Sequence, residues 1–400
     1  MSKLKINNVV KLTNKEILAL AKSDPTYNSW TSKLTNDIFT EKGYEELKQN
    51  DYKILSDFFG LSVRVILNQI KTANPHIPSL YTAIVEEYAN EQGGIFQRVN
   101  TKLLKPTSPK YRELVSGGSI DPFIVRKPNT DERFFKQNFD FQNFLTIQDI
   151  ELKKMFLDET GMSEYIAGIM KSLDESYAIQ KYQVFREMIS KAINSTQNPL
   201  KDTQKIGLAE VISGDEDTQK AFIQAMQNLA VLFDTSVVSK DFNAKSFEHG
   251  LYKDDYVLVV RSDIYNYIKT ELMANTYHTE NLGIPFQIEL VKDFGGITYT
   301  DKSGVAATPL YDEFGAVKGF STDGTTLIDE NDLIKVDPNE DVMSLLMQKG
   351  CIFATQQQPY ETRTIYNPAG LYTNFWASQP NGAFNYDACY DIIEFVKTTG

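Results

Sequence analysis

Few residues in this chain have the types and spacing that reactive chemistry needs. Three histidines, His76, His249 and His278, are scattered through 400 residues, and each reads as a satisfied surface or loop residue. The acidic run DENDLIKVDPNED, residues 329–341, has the carboxylate density of a calcium loop. It lacks the glycine and the spaced glutamate of such a loop, so it reads as a solvated acidic stretch. SGDED at 213–217 reads as the start of a helix, where the macrodipole favours acid. Asn194-Ser195-Thr196 matches a glycosylation sequon, which has no meaning without a secretory signal. There is no phosphate loop, dinucleotide fingerprint, HExxH or GxSxG. No catalytic, cofactor-binding or metal-ligating set is assigned. A carboxylate pair in a cleft stays open, because it leaves no spacing signature.

What remains is charge. Residues 123–136 read FIVRKPNTDERFFK. Pro128, Asn129, Thr130 and Asp131 are turn formers: proline fixes φ, and Asn and Asp bond their own backbone. The stretch therefore predicts a hairpin tip, crowded by Arg126, Lys127, Arg133 and Lys136. A lone two-stranded hairpin is barely stable in water, so the finger must rest on something. Phosphate, nucleic acid or an acidic protein surface would suit it. Residues 97–136 hold 9 basic and 4 acidic side chains, a net +5. Residues 201–345 hold 12 basic and 25 acidic, a net −13, so the chain itself supplies an acidic partner. A net charge of −12 argues against a protein whose main work is gripping nucleic acid.

The elements that must position this finger are those of an ordinary globular chain, 42% hydrophobic and 24% charged, with room for two or three domains. The 21 tyrosines and 24 phenylalanines suit interfaces, or a β-rich core with aromatic filler. Two cysteines, Cys351 and Cys389, make no disulfide framework and fit a reducing cytosol. The N-terminus has no signal-peptide pattern, and no apolar run approaches membrane length.

Residues 14–73 read as helices. NKEILALAKSD takes Asn14 as its cap, and a second pattern over 51–73 stops at Asn74-Pro75. From about residue 80, LYTAIVEEYANEQGGIFQRVN reads as strand, a break at Gly93-Gly94, and more strand. The chain is then extended and turn-rich to about 144, with FIV at 123–125 strand-like and alternation in RFFKQNFDFQNFL. A short helix at 148–159 precedes the strongest one, 162–193. There Ile166, Ile169, Leu173, Tyr177, Val184 and Met188 form one stripe, and Tyr182, Phe185 and Ile189 widen it. The stripe keeps no strict heptads, so it predicts a strut rather than half a coiled coil. Beyond it come a helix at 217–232, a strand at 256–260, a helix at 263–275 and a strand at 286–291. Turns follow at 295–296, 303–304 and 323–324, and the aromatic-rich tail is stranded.

Several of these stretches, taken in order, carry a likeness. EEYANEQGGIFQRV, FIVRKP, the return FFKQNFDFQNFLT, a long helix and the closing TIYNPAGLYTNFWASQP resemble the major capsid proteins of tailed phages, in the Hong Kong ninety-seven fold. Within that group the chain is most similar to those of small short-tailed phages of the phi-twenty-nine-like kind. The likeness spans about residues 80–195 and 350–400. It implies an α+β fold in five parts: an N-terminal helical arm (1–79), an extended β-hairpin loop with flanking strands (80–145), a peripheral domain with a long spine helix (146–204), an axial domain (205–345), and return strands of the peripheral domain (346–400). A helical arm departs from the family's usual extended one. The covalent crosslink of some members is not carried over, since its Lys and Asn match no position here.

The resemblance implies a structural protein with no cofactor and no enzymatic role. Its partners would be further copies of itself in hexamers and pentamers, scaffolding and portal proteins, and packaged double-stranded DNA held non-specifically, with no membrane. Its place would be the virion, after assembly in the host cytoplasm. Arg126, Lys127, Arg133 and Lys136 would then be inter-subunit contacts, the finger lying on the next copy. Such a head-to-tail contact closes rings, and the opposite charges set register more than affinity. Net negative charge would limit sticking of packaged DNA to the wall. Two other classes are kept beside this one: a soluble α/β enzyme with an unrecognised carboxylate site, and another virion component such as a portal or tail protein.

Overall fold

The computed structural model describes residues 13–23, 31, 34–46, 58, 62, 77–89, 95–104, 129–136, 140–212, 216–235, 238–275, 284, 286–311, 317–323, 325–329, 332–356, 361–367, 370 and 372–398. The expected helix over 51–73 (apart from Phe58 and Ser62), the break at Gly93-Gly94, the strand at 123–125, and Arg126 and Lys127 lie outside them.

The first helix, α1 (Asn14–Ser23), is capped one residue earlier than expected. The Glu16 amide donates to Thr13 Oγ1 (3.3 Å), and the Thr13 amide donates to Glu16 Oε2 (2.8 Å). Thr13 has the glutamate three residues on that a capping box needs, whereas Asn14 has Ile17 there. Asn14 is instead buried, its Nδ2 donating to the carbonyls of Met155 (2.9 Å) and Asp158 (2.7 Å).

A second departure lies at residue 80. Ser79–Ile84 is a short helix (α2) before the strand Val85–Ala89. Leu80, Tyr81 and Ile84 are buried together at helical spacing, and Pro78 stands at the N-cap. Helical burial of these three outweighs the β preference of the surrounding residues.

The helix α3 (Asp149–Leu157) leads into the spine, α4, which runs from Gly161 to Ile193. Its 33 residues reach about 50 Å at ~1.5 Å per residue. Its two ends serve different cores. Met162, Ile166 and Leu173 pack with Ile17, Leu18, Phe156 and Phe375. Phe185, Met188 and Ile189 pack with Val257, Val259, Leu345 and Phe384. Between them Lys181 is buried, paired with Glu87 and lying over the Tyr81 ring at 5.1 Å.

That second core is one face of a five-stranded mixed sheet. Its order is Lys205–Leu208, Ile392–Lys397, Val342–Gln348, Tyr256–Arg261 and Gln287–Val291, with the two outer pairs parallel. Period-two alternation sends Val257 and Val259 toward α4. Leu258 and Val260 point the other way, onto α5 (Glu216–Thr235) and α6 (Ser262–Asn275) through Phe222, Met226 and Ile264. The strand Val342–Gln348 pairs antiparallel with the tail strand, with a register shift between Val342 and Ser344.

A second sheet pairs Val85–Ala89 in parallel with Ile352–Gln356, which runs antiparallel to the 15-residue strand Tyr372–Tyr386. The first half of that long strand takes Glu361–Asn367 on one side and Asp140–Gln148 on the other. Four short strands between 298 and 336 form a separate small sheet. It is tied to the spine by Gly295 and Gly296, at φ +76° and +74°. A Cβ on Gly295 would stand 2.6 Å from the Arg186 carbonyl oxygen, and one on Gly296 would stand 2.2 Å from Ser190 Oγ. Only glycine lets this turn lie flat on α4.

Candidate assembly interface at the hairpin root

The strands Ile95–Thr101 and Thr130–Lys136 form the antiparallel hairpin. Its geometry corrects the expected tip. Thr130 and Asp131 are strand residues paired with Thr101 and Asn100, and the partner strand is 95–101 rather than 123–125. The alternation in TDERFFK explains why: Asp131, Arg133 and Phe135 face the body of the chain, and a turn at 128–131 would break that face. The hairpin's connection is thus pushed into residues outside the description.

Register puts Phe96 opposite Phe135, Arg98 opposite Arg133, and Asn100 opposite Asp131. These six side chains form the inner face. The two phenylalanines land on one buried ring, Phe353, at 5.3 and 4.7 Å between centroids. Two arginines directly opposite one another repel. Here they straddle Asp387, whose side chain is 0% exposed. Arg133 Nη1 donates to Asp387 Oδ1 at 2.9 Å, Arg98 Nη1 stands 3.7 Å from Oδ2, and Asn100 Nδ2 donates to Oδ2 at 3.1 Å.

The remaining donors are also taken up. Arg98 donates to the Gly350 carbonyl (3.0 Å), to Glu86 (3.2 Å) and to the Tyr390 hydroxyl (2.6 Å), and its guanidinium lies 4.4 Å from the Tyr390 ring centroid. Arg133 Nε donates to Asp131 at 3.0 Å, and Nη2 stands 3.1 Å from Cys389 Sγ. Gly350 sits here at φ +77°, a backbone conformation that favours glycine.

Asp387 opens a five-residue turn, Asp387-Ala388-Cys389-Tyr390-Asp391, after the long strand. Its other end is a second buried carboxylate. Asp391 accepts from the Tyr256 hydroxyl (2.6 Å) and from Asn243 Nδ2 (3.1 Å), and lies 2.9 Å from His249 Nε2. Burial works against charging His249, but the hydrogen bond and charge of Asp391 win and hold its pKa above the ordinary value. Burial, reinforced by Asp387, pushes the Cys389 thiol up to about 12, so it is no reactive thiolate at neutral pH. Burial likewise pushes Tyr390 up to about 12. For Asp131, burial is outweighed by hydrogen bonds from Cys389 and Arg133, which hold its carboxyl below the usual range.

The outer face mixes polar side chains with three large apolar ones. Ile95, Val99 and Phe134 are 60%, 50% and 63% exposed. Beside them stand Gln97, Glu132 and Lys136.

Of the four basic residues singled out in the sequence, Arg133 lies in the hairpin root, paired with Asp387 of its own chain. Lys136 is exposed at the end of its strand, opposite Ile95. Arg126 and Lys127 lie outside the described residues. Sequence reasoning missed Arg98, Asn100, Asp387 and Tyr390. The alternation in IFQRVN, which groups Phe96, Arg98 and Asn100 on one face, was the available signal for the first two. Nothing local marks the tail pair. Among the described residues no group of histidine, cysteine and carboxylate side chains could hold a metal ion, and no helix is long and apolar enough to cross a membrane.

No curated protein sequence matches this chain. Solved structures do match in fold. A chain in the capsid structure of Staphylococcus phage Andhra superposes with a TM-score of 0.55 at 13% identity, covering 82% of this chain and 86% of that one. A chain in the structure of the head fibre and inner core protein gp22 of bacteriophage P68 gives 0.51 at 12% identity, with coverage of 82% and 86%. The model of the Phi29-like phage major capsid protein family matches residues 63–395. That span takes in the hairpin, the spine, the mixed sheet and all but the last few residues of the tail. The chain belongs to the Phi29-like phage major capsid protein family, and its role is the structural one of forming a capsid.

Proposed function

We propose that copies of this chain assemble, in the host cytoplasm, into hexamers and pentamers of an icosahedral head around double-stranded DNA. Residues 97–140 are the extended loop, lying across a neighbouring copy. Residues 146–204 with 346–400 form the peripheral part, and 205–345 the axial part around ring centres. Residues 1–79 are the arm. Scaffolding and portal proteins are the other partners, and DNA contacts on the inner face are non-specific. The observation that carries this reading is the hairpin's outer face. Three large apolar side chains stand exposed on strands whose inner face is already satisfied. Large apolar side chains exposed close together on one face in this way suit an interaction site.

Charge supports it in a narrower form than the sequence alone did. Arg98 and Arg133 are opposed by carboxylates of their own chain, so they are not free to meet a neighbour. Arg126, Lys127 and Lys136 are the proposed contacts, guiding register against the acidic axial part. Negative-stain microscopy of purified protein should show closed shells or hexamer sheets. Single rings would fit a portal and small particles an enzyme. Charge reversal of Arg126, Lys127 and Lys136 together should leave a folded monomer that no longer assembles. Shells at normal yield would show that the loop's charges are not a clamp.

A further inference from the structure

We infer that Asp387 is the positioning residue of the loop: it fixes the direction in which the hairpin leaves the body, and assembly depends on that direction. The inference rests on the proposed loop-to-neighbour contact and adds the device that aims it.

The argument begins with what holds the hairpin down. Among the described residues its two strands pair only with each other, and just beyond them the Leu103 amide reaches the Glu248 carbonyl at 3.4 Å. The inner face offers three aromatic contacts, Phe96 and Phe135 on Phe353 and Phe96 on Tyr88 (5.2 Å), and one ionic cluster. Aromatic contacts tolerate rotation and sliding. The cluster does not. Arg133, Arg98 and Asn100 come from both strands and converge on one carboxylate whose own position is fixed. Asp387 Oδ1 accepts the Cys389 amide at 3.0 Å, and the Asp387 amide donates to the Cys351 carbonyl at 2.7 Å.

The turn carrying Asp387 is in turn bolted to the mixed sheet. Asp391 holds Tyr256 and His249, its amide donates to Gln348 Oε1 at 3.1 Å, and Cys351 N donates to the Gln348 carbonyl at 3.1 Å. A rigid path therefore runs from the central sheet through residues 387–391 to both hairpin strands. Without the carboxylate, two guanidinium groups in register face each other with only Glu86 and Asp131 at the flanks. Repulsion then favours a splayed or tilted root. A tilt at the root would redirect both strands where they leave the body at Thr101 and Thr130.

The test uses full-length unassembled protein with spin labels at Thr101→Cys on the hairpin and Lys171→Cys on the spine, both exposed positions. Cys351 and Cys389 are buried and stay unlabelled. Distances are read by double electron–electron resonance in the parent and in Asp387→Asn, which keeps the shape but not the charge. The expected result is a narrow distance distribution in the parent, a broadened or shifted one in the variant, and at least tenfold less assembled shell at equal monomer concentration. Arg133→Gln, which removes one arm and leaves Arg98 and Asn100 on the carboxylate, serves if Asp387→Asn does not fold, and should give a smaller change in the same direction. An unchanged distribution in the folded variant overturns the inference, whatever happens to assembly. A changed distribution with normal shell yield keeps Asp387 as the residue that aims the hairpin but overturns the dependence of assembly on that aim, and with it the proposed loop-to-neighbour contact.

Discussion

The hairpin and the mixed sheet use the same β alternation to opposite ends. In the sheet, strands Tyr256–Arg261 and Val342–Gln348 bury apolar side chains on both faces, against α4 on one side and α5 and α6 on the other. Covalent neighbours thus contribute to two cores of one molecule. In the hairpin, the face toward the body carries Arg98, Arg133, Asn100 and Asp131 with their partners, while Ile95, Val99 and Phe134 point outward. The difference shows where each region's stability lies. The sheet is complete within one chain. The hairpin is satisfied inside but leaves three large apolar side chains exposed, which suits a protein built to assemble with copies of itself.

Truncation should separate the two regions most sharply. Leu346→Ala, at a fully buried sheet position, should cost about 2–5 kcal/mol and lower the melting temperature of the monomer. Val99→Ala on the outer face should change stability by no more than about 0.5 kcal/mol. Chemical denaturation of both variants checks this. Equal losses would mean the outer face is packed in the isolated chain.

A smaller effect is expected at the joint between spine and small sheet. Gly296→Ala should cost about 1–3 kcal/mol, since it needs φ +74° and places a methyl against Ser190 Oγ. The cost should appear in monomer melting. A neutral result would show that the turn can lift off α4 freely.

The smallest effect is a pH slope. His249 has its folded pKa raised above the ordinary value of ~6.5. The folded state therefore binds the proton more tightly than the unfolded one. The contribution is fully present below pH ~6.5 and is lost as pH rises through the raised value. Melting temperatures measured across that window should fall with pH more steeply in the parent than in His249→Gln. Parallel curves would mean that Asp391 does not hold a charged imidazole.

Much of this architecture was legible from periodicity. The stripe from Ile166 to Ile189 marked the spine to within a residue, and the alternation in RFFKQNFDFQNFL marked both strands it became. Local signals failed where two were equally good. Thr13 and Asn14 are both fair caps, and the choice fell to a glutamate three residues on. Pro128 to Asp131 has turn chemistry, yet the inward face of Asp131, Arg133 and Phe135 decided the matter. The root of the hairpin was not legible at all. Arg133 and Asp387 are 254 residues apart, and a buried acid between two facing arginines leaves no mark in either stretch alone.

The central claim, that the outward apolar face of the hairpin is what joins copies into a shell, is tested most directly with the double variant Val99→Ser, Phe134→Ser. Monomer melting and shell yield by electron microscopy are measured on the same preparation. The account predicts a melting temperature within a degree or two of the parent, as for exposed substitutions, and loss of closed shells. Closed shells at parental yield from that protein would contradict it.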